Sequence, residues 1–358
     1  MGIGRRKIAL VAGAVVLALV VALVGRAVWR HEHRTGLQEA LDVVPKSTLR
    51  LAFTDWAAVR RQLAVPDQSR PTAATIQKLT EKAYDSDLSA ASSIDESTAA
   101  LQKNFGFSPA SVEWEAYGQS RQGATMVVRL PDGFDFDTIT GHLDDLGFTR
   151  PSKDTGVWKG GVDLVAAIDP TITPELQYVA VLADRHLVVT SDQLSYAKEA
   201  AAVAQGDGDS LGDLASARGL ASKLAEPAAA LLWSRDFACS DLAMSQADQD
   251  AQDQADSLVA RAGGVTPLTG LVMAMSPERV LTVGALFEDS GQAKDNLRPR
   301  ARLAVGDAPG RGGTFSDDFR LVSSRTDGAA VMLQLRPKER SGFVLSALDH
   351  GPVLFATC

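Results

Sequence analysis

Eighteen consecutive residues, Ile8 to Gly25 (IALVAGAVVLALVVALVG), carry no charge. At 1.5 Å per residue a helix of that length spans roughly 27 Å, close to the hydrocarbon thickness of a bilayer. The run is apolar all round, whereas a buried core helix usually keeps one polar face. Arg5, Arg6 and Lys7 precede it, and Trp29 follows at the depth of an interfacial ring. Flanking cations are balanced, because Arg26, Arg30 and Arg34 lie on the far side. A large following body is translocated largely regardless of such a balance, and Gly25-Arg26-Ala27-Val28-Trp29 offers only a poor cleavage site for the competing reading, a cleaved signal peptide. The sequence therefore predicts a cytoplasmic stub over 1–7, a transmembrane signal anchor over 8–28 and a juxtamembrane helix or linker over 29–47. The bilayer is then a partner through the N-terminal helix, and the body lies outside the cytoplasm.

Charge and cysteine content narrow the classes further. The net charge of −8 is an average of unlike parts: residues 1–34 hold about +5, and the rest hold −13. An acidic body is repelled by nucleic acid, so nucleic-acid partners are excluded. Two cysteines cannot make a disulfide-rich scaffold or a four-thiolate zinc site. In an oxidising compartment Cys239 and Cys358 are expected to pair, closing a loop of about 120 residues and contributing roughly 3–5 kcal/mol in the chain-entropy picture.

Along the body the pattern alternates between strand and helix. Leu49–Phe53 reads as a strand, after which Thr54 or Asp55 can cap a helix carrying Trp56, Val59 and Leu63 on one side. Residues 66–100, rich in Ser, Thr, Ala and Asp, read as exposed helices with loops, Ile76, Leu79 and Tyr84 inward. Strands follow at Val112–Tyr117 and Thr125–Leu130, a helix at Phe136–Leu146, and a strand pair over Val157–Ile168 turning at Gly160-Gly161. A hairpin joins Tyr178–Leu182 to His186–Thr190, and a helix covers Leu194–Ala204. After Pro227 come strands at Ala229–Ser234, Leu271–Met275 and Val280–Phe287. A helix over Gln292–Leu303, interrupted at Pro299, leads to a hairpin of Phe319–Ser324 with Ala330–Leu335 and a last short strand at Val353–Phe355. The element order repeats, and Phe53-Thr54 with Asp55-Trp56-Ala57 matches Trp233-Ser234 with Asp236-Phe237-Ala238, so an internal duplication is one reading. The expected fold class is α+β: an N-terminal transmembrane helix, then a two-part extracytoplasmic body over 48–226 and 227–358, its mostly antiparallel sheets covered by helices on one face.

The anchor, the Val43-Val44-Pro45…Thr48-Leu49 entry into the first strand, and the segment HLVVTSDQLSYAKEA (His186 to Ala200) together resemble a class of bacterial, actinobacterial-type, single-pass envelope proteins. That resemblance implies a membrane-tethered body in the envelope and no assigned activity.

Candidate chemistry is sparse. Ser195-Tyr196-Ala197-Lys198 fits the S-x-x-K spacing of penicillin-binding enzymes, but no S-x-N or K-T-G follows. His31, His33, His142, His186 and His350 have no neighbouring set for triad or zinc chemistry. The acidic run with Asp248, Asp250, Asp253 and Asp256 has Asp253 and Val259 where a calcium loop needs Gly and Glu, and reads as a solvated helix face. Gly306 to Thr314 lacks the Lys of a phosphate loop. Arg298, Arg300, Arg302 and Arg311 form the clearest basic cluster, a place where an anionic envelope polymer could sit. No catalytic, cofactor or metal site is therefore expected. The leading expectation is a non-enzymatic module binding an envelope protein or ligand. An envelope hydrolase seeded by Ser195 and Lys198, or a carrier of a hydrophobic ligand between two halves, are the alternatives.

Overall fold

In the computed structural model residues 34–358 are described, apart from 67, 69, 70, 243, 245, 246 and 339–342. Gly36–Cys358 is one compact unit. Its centre is an antiparallel sheet of eleven strands: β1 Arg50–Thr54, β2 Trp114–Gln119, β3 Ala124–Arg129, β4 Val157–Lys159, β5 Tyr178–Leu182, β6 Leu187–Ser191, β7 Ala229–Ser234, β8 Gly270–Met275, β9 Leu281–Leu286, β10 Phe319–Asp327 and β11 Ala330–Pro337. Their order across the sheet is β10-β11-β9-β8-β7-β1-β2-β3-β6-β5-β4. From the middle outward, one side runs β1-β2-β3-β6-β5 and the other β7-β8-β9-β11-β10, so a strand, a hairpin and a returning hairpin repeat. The sides meet where β1 pairs antiparallel with β7, Arg50 opposite Trp233 and Thr54 opposite Ala229.

Three corrections to the expected fold class follow. The body is one continuous sheet, because β1 and β7 hydrogen-bond along their length and leave no crevice between halves. Helices cover both faces of the sheet. Successive strand residues feed two separate cores, Ala52 into one and Leu51 and Phe53 into the other, as Leu231 and Leu232 do in β7. Val59, Ile76, Leu101 and Ile139 bring helices to the first core, while Leu37, Ala200 and Leu220 bring them to the second. Finally, among the described residues no helix is long and apolar enough to cross a membrane. The run Ile8–Gly25, with the stub and anchor assigned to 1–28, lies outside the described residues, as do His31 and His33.

Local chemistry explains where the element assignments shift. Asp55 is the cap of the helix Trp56–Gln62, its Oδ1 accepting the Ala58 N–H at 2.7 Å. Gly160-Gly161 does not turn a hairpin. β4 ends at Lys159, and Gly161 at φ +81° leads into a helix, Val162–Ile168. A Cβ on Gly160 would lie 2.6 Å from the Phe148 ring, so the backbone passes that ring only as glycine. Pro299 sits inside the unbroken helix Ser290–Leu303 and is buried. Val353–Phe355 forms no strand; Leu354–Ala356 is a single 3-10 turn.

The C-terminal stretch after β11 is tied back to distant parts of the sheet. Asp87 accepts the Leu345 and Ser346 N–H groups at 2.6 and 3.3 Å, satisfying the start of the short helix Leu345–Asp349. Arg50 pairs with Asp349, and Arg311 donates to the carbonyls of Ala347 and His350. Arg300, fully buried, donates to Phe355 O at 2.8 Å and Thr266 O at 2.7 Å. Cys239 and Cys358 form a disulfide with Cα atoms 5.5 Å apart.

Candidate functional site

The most unusual chemistry lies in the first core, beneath residues 71–104. Glu115, the second residue of β2, is completely buried. Its Oε1 accepts the Trp56 indole N–H at 3.0 Å, and its Oε2 accepts Ser93 Oγ at 3.0 Å and the Ser93 N–H at 3.3 Å. Among the described residues no cation pairs with it. Burial pushes its carboxyl up to about 7; the hydrogen bonds of Ser92, Trp56 and Ser93 pull the other way, and the Asp95 charge pushes with burial. Asp95 is itself raised by burial against a hydrogen bond from Ser89. The loop of residues 86–97 therefore brings the Asp95 carboxyl near Glu115 of β2, where its charge opposes Glu115 ionisation.

That loop joins two helices, Ala73–Asp85 and Thr98–Asn104, which face each other across a groove. Thr72 starts the first, its Oγ1 accepting the Thr75 N–H at 3.2 Å. Its inward stripe, Ile76, Leu79 and Ala83, packs into the core. A cavity of about 460 Å³ lies between the helices, lined by Ala73, Ile76, Gln77 and Thr80 on one wall and Thr98, Ala99, Gln102 and Lys103 on the other, with Asp95 and Glu96 at one end. A second cavity of about 390 Å³ adjoins it, sharing Thr80, Asp95 and Glu96 and adding Glu81, Tyr84 and Asp85. Tyr84, expected inward, is 62% exposed; Ala83 takes the core position beside it, and the Tyr84 ring packs on the exposed Phe343 with centroids 5.0 Å apart.

The residues singled out in the sequence do not assemble around this groove. Ser195 and Lys198 are both exposed on the helix Leu194–Gln205, and no hydrogen bond joins them. The acidic run is the exposed face of the helix Gln249–Ala262, with Asp248 capping it through the Ala251 N–H at 2.9 Å. Among the described residues no group of three or more His, Cys, Asp or Glu could hold a metal ion. The arginine cluster is not a surface patch: Arg300 points into the core and Arg311 into the C-terminal stretch, leaving Arg298 and Arg302 outside. The loop Gly306 to Thr314 folds on itself through Ala308 N–H to Gly313 O and carries Arg311 to that contact. A further polar cavity of about 330 Å³ is lined by Lys46, Ser47, Glu199, Asp207, Asp209 and Arg235, with Lys46 and Asp209 already paired at 3.1 Å. Sequence reasoning passed over Glu115, because Trp-Glu-Ala-Tyr alternates as a half-exposed strand would. The only signal was a carboxylate within an aromatic run.

Fold and site together define an α+β protein built on one broad antiparallel sheet, with a helical groove over the buried carboxyl of Glu115. No family model matches the sequence, and no curated protein matches it. Two solved structures, crystal forms I and III of TP0453, are similar to the chain at a TM-score of 0.41, with 8% and 9% identity. They match over 88% and 86% of this chain and 99% and 97% of their own. A likeness at that level carries no argument about fold or activity.

Proposed function

We propose that this chain is a non-enzymatic module of the bacterial cell envelope, its body outside the cytoplasm, which binds an envelope protein or ligand. The groove between Ala73–Asp85 and Thr98–Asn104 carries this reading. It combines exposed aromatic surface with an acidic end, and it lies over the buried residues of the first core. The disulfide supports an oxidising compartment. A carrier using a pocket between two halves is disfavoured, because paired strands occupy that place. A hydrolase built on Ser195 and Lys198 is disfavoured, because among the described residues both side chains are exposed and no hydrogen bond joins them.

A photo-crosslinking residue placed at Gln77, in the groove, tests the proposal in the native cell. A discrete adduct from that position, and none from Lys198 on the other side of the sheet, is the expected outcome. Equal adducts from both positions, or none from Gln77, contradict it.

A further inference from the structure

The groove's chemistry narrows what it can bind, given the reading of it as a binding site. Seven residues of one wall line it: Ala73, Ile76 and Gln77, then Thr80 and Glu81, then Tyr84 and Asp85. Their spacing of three and four marks a single helical stripe, which runs roughly 18 Å. On the other wall Thr98 and Ala99, then Gln102 and Lys103, form a shorter stripe of the same kind. Two helical ridges at this spacing form the seat that a third helix fills, ridge into groove.

Charge selects the occupant. Glu81, Asp85, Asp95 and Glu96 gather at one end, and among the described residues no basic side chain lines that end. Lys103 stands alone toward the other. Glu81 and Asp85 are four residues apart on one helix, so their carboxylates meet cations carried four residues apart on a facing helix. Tyr84 and Phe343 add an aromatic surface against which an alkylammonium or guanidinium stem can lie. The middle of the groove, with Ile76, Thr80 and Ala99, offers no charge and suits an apolar stripe.

We infer that the groove binds a basic amphipathic helix of a partner protein, with its Lys or Arg side chains at the Asp85–Glu96 end and its apolar face on Ile76 and Ala99. The charge follows from the four carboxylates, and the helical form from the two stripes. An anionic membrane surface would meet the same carboxylates and be repelled.

The test uses the full chain and a synthetic helix-forming peptide of about 15 residues, long enough to populate a helix, with Leu along one face and Lys on its flanks. A matched peptide carries Glu in place of Lys. Calorimetry and amide chemical shifts should show the Lys peptide binding, with shifts confined to 73–85 and 95–103 and affinity falling as salt rises. The exposed triple variant Glu81→Gln, Asp85→Asn, Glu96→Gln should weaken it roughly tenfold, as should the Glu peptide. Equal binding of both peptides, shifts elsewhere, an unaltered triple variant, or binding of phosphatidylglycerol vesicles at the groove would overturn the inference. If the Lys peptide fails while Gln77 still crosslinks a partner, the charge assignment alone falls. If both fail, the groove is not a binding site.

Discussion

The indole N–H of Trp56 donates to Glu115 Oε1 at 3.0 Å, joining the first residue of a helix to the second residue of β2 inside the core. This contact and the two from Ser93 hold a carboxyl that has no basic partner among the described residues. Hydrogen bonds to both oxygens are what make burial of such a group tolerable, and the remaining cost appears as a raised proton affinity.

A pH dependence of stability follows. Glu115 is raised from 4.5 to about 7, and Asp55 from 3.8 to about 6, chiefly by burial. For carboxyls raised in the folded state, the protonated form is favoured by folding. Their contribution is present in full below the unfolded values and is lost as pH rises through the folded ones. Urea midpoints should therefore be lower at about pH 8 than at about pH 5, and Glu115→Gln should flatten the slope between them. Carboxyls held low, such as Asp213 and Asp317, lose their contribution only at more acid pH and do not disturb this window. A midpoint that rises steadily over the same interval contradicts the assignment.

The disulfide should matter because it closes a loop of 119 residues. Replacing Cys239 and Cys358 together by Ala is expected to cost roughly 3–5 kcal/mol in urea unfolding. Thiol labelling of the denatured chain without reductant should find no free cysteine.

Arg300 is expected to be the most sensitive basic residue. Burial lowers its guanidinium to about 9, and its hydrogen bonds go to Asn296, Thr266 O and Phe355 O. Arg300→Ala takes the guanidinium donor from the Thr266 and Phe355 carbonyls and leaves a cavity, costing about 3 kcal/mol or more. Arg298→Ala, on the exposed side of the same helix, should change stability by less than about 0.5 kcal/mol.

Asp87 acts as a remote cap for the C-terminal helix. Asp87→Ala should cost about 1 kcal/mol and speed amide exchange at Leu345 and Ser346, without affecting exchange in β7.

How far the sequence carried these conclusions depends on where each segment lies. The outer hairpin of β5 and β6 was legible, because it has an obvious turn at Asp184-Arg185 and a β-branched run. The order of the central strands was not. All six residues of Ala229–Ser234 are buried, so β7 shows no alternation to say which face is covered. Its pairing with β1 joins residues about 180 positions apart, a relation no local pattern encodes. The two-sided covering also hid Glu115, since alternation placed it toward water where a second helical layer lies. The helices Ala73–Asp85 and Thr98–Asn104 were legible as helices separated by a loop, but their composition did not distinguish a solvated surface from the wall of a groove. Tyr84 shows the difference: its spacing fits the core, yet Ala83 fills that place and leaves the ring outside.

Occupation of the groove in living cells tests the account most directly. Carbodiimide labelling of carboxylates, read by mass spectrometry, compares cells or spheroplasts with the purified chain. The account predicts that Glu81, Asp85 and Glu96 are protected in the native envelope, while Asp207 and Asp209 at the other cavity label equally in both. Equal labelling of the groove carboxylates in the two settings would contradict it.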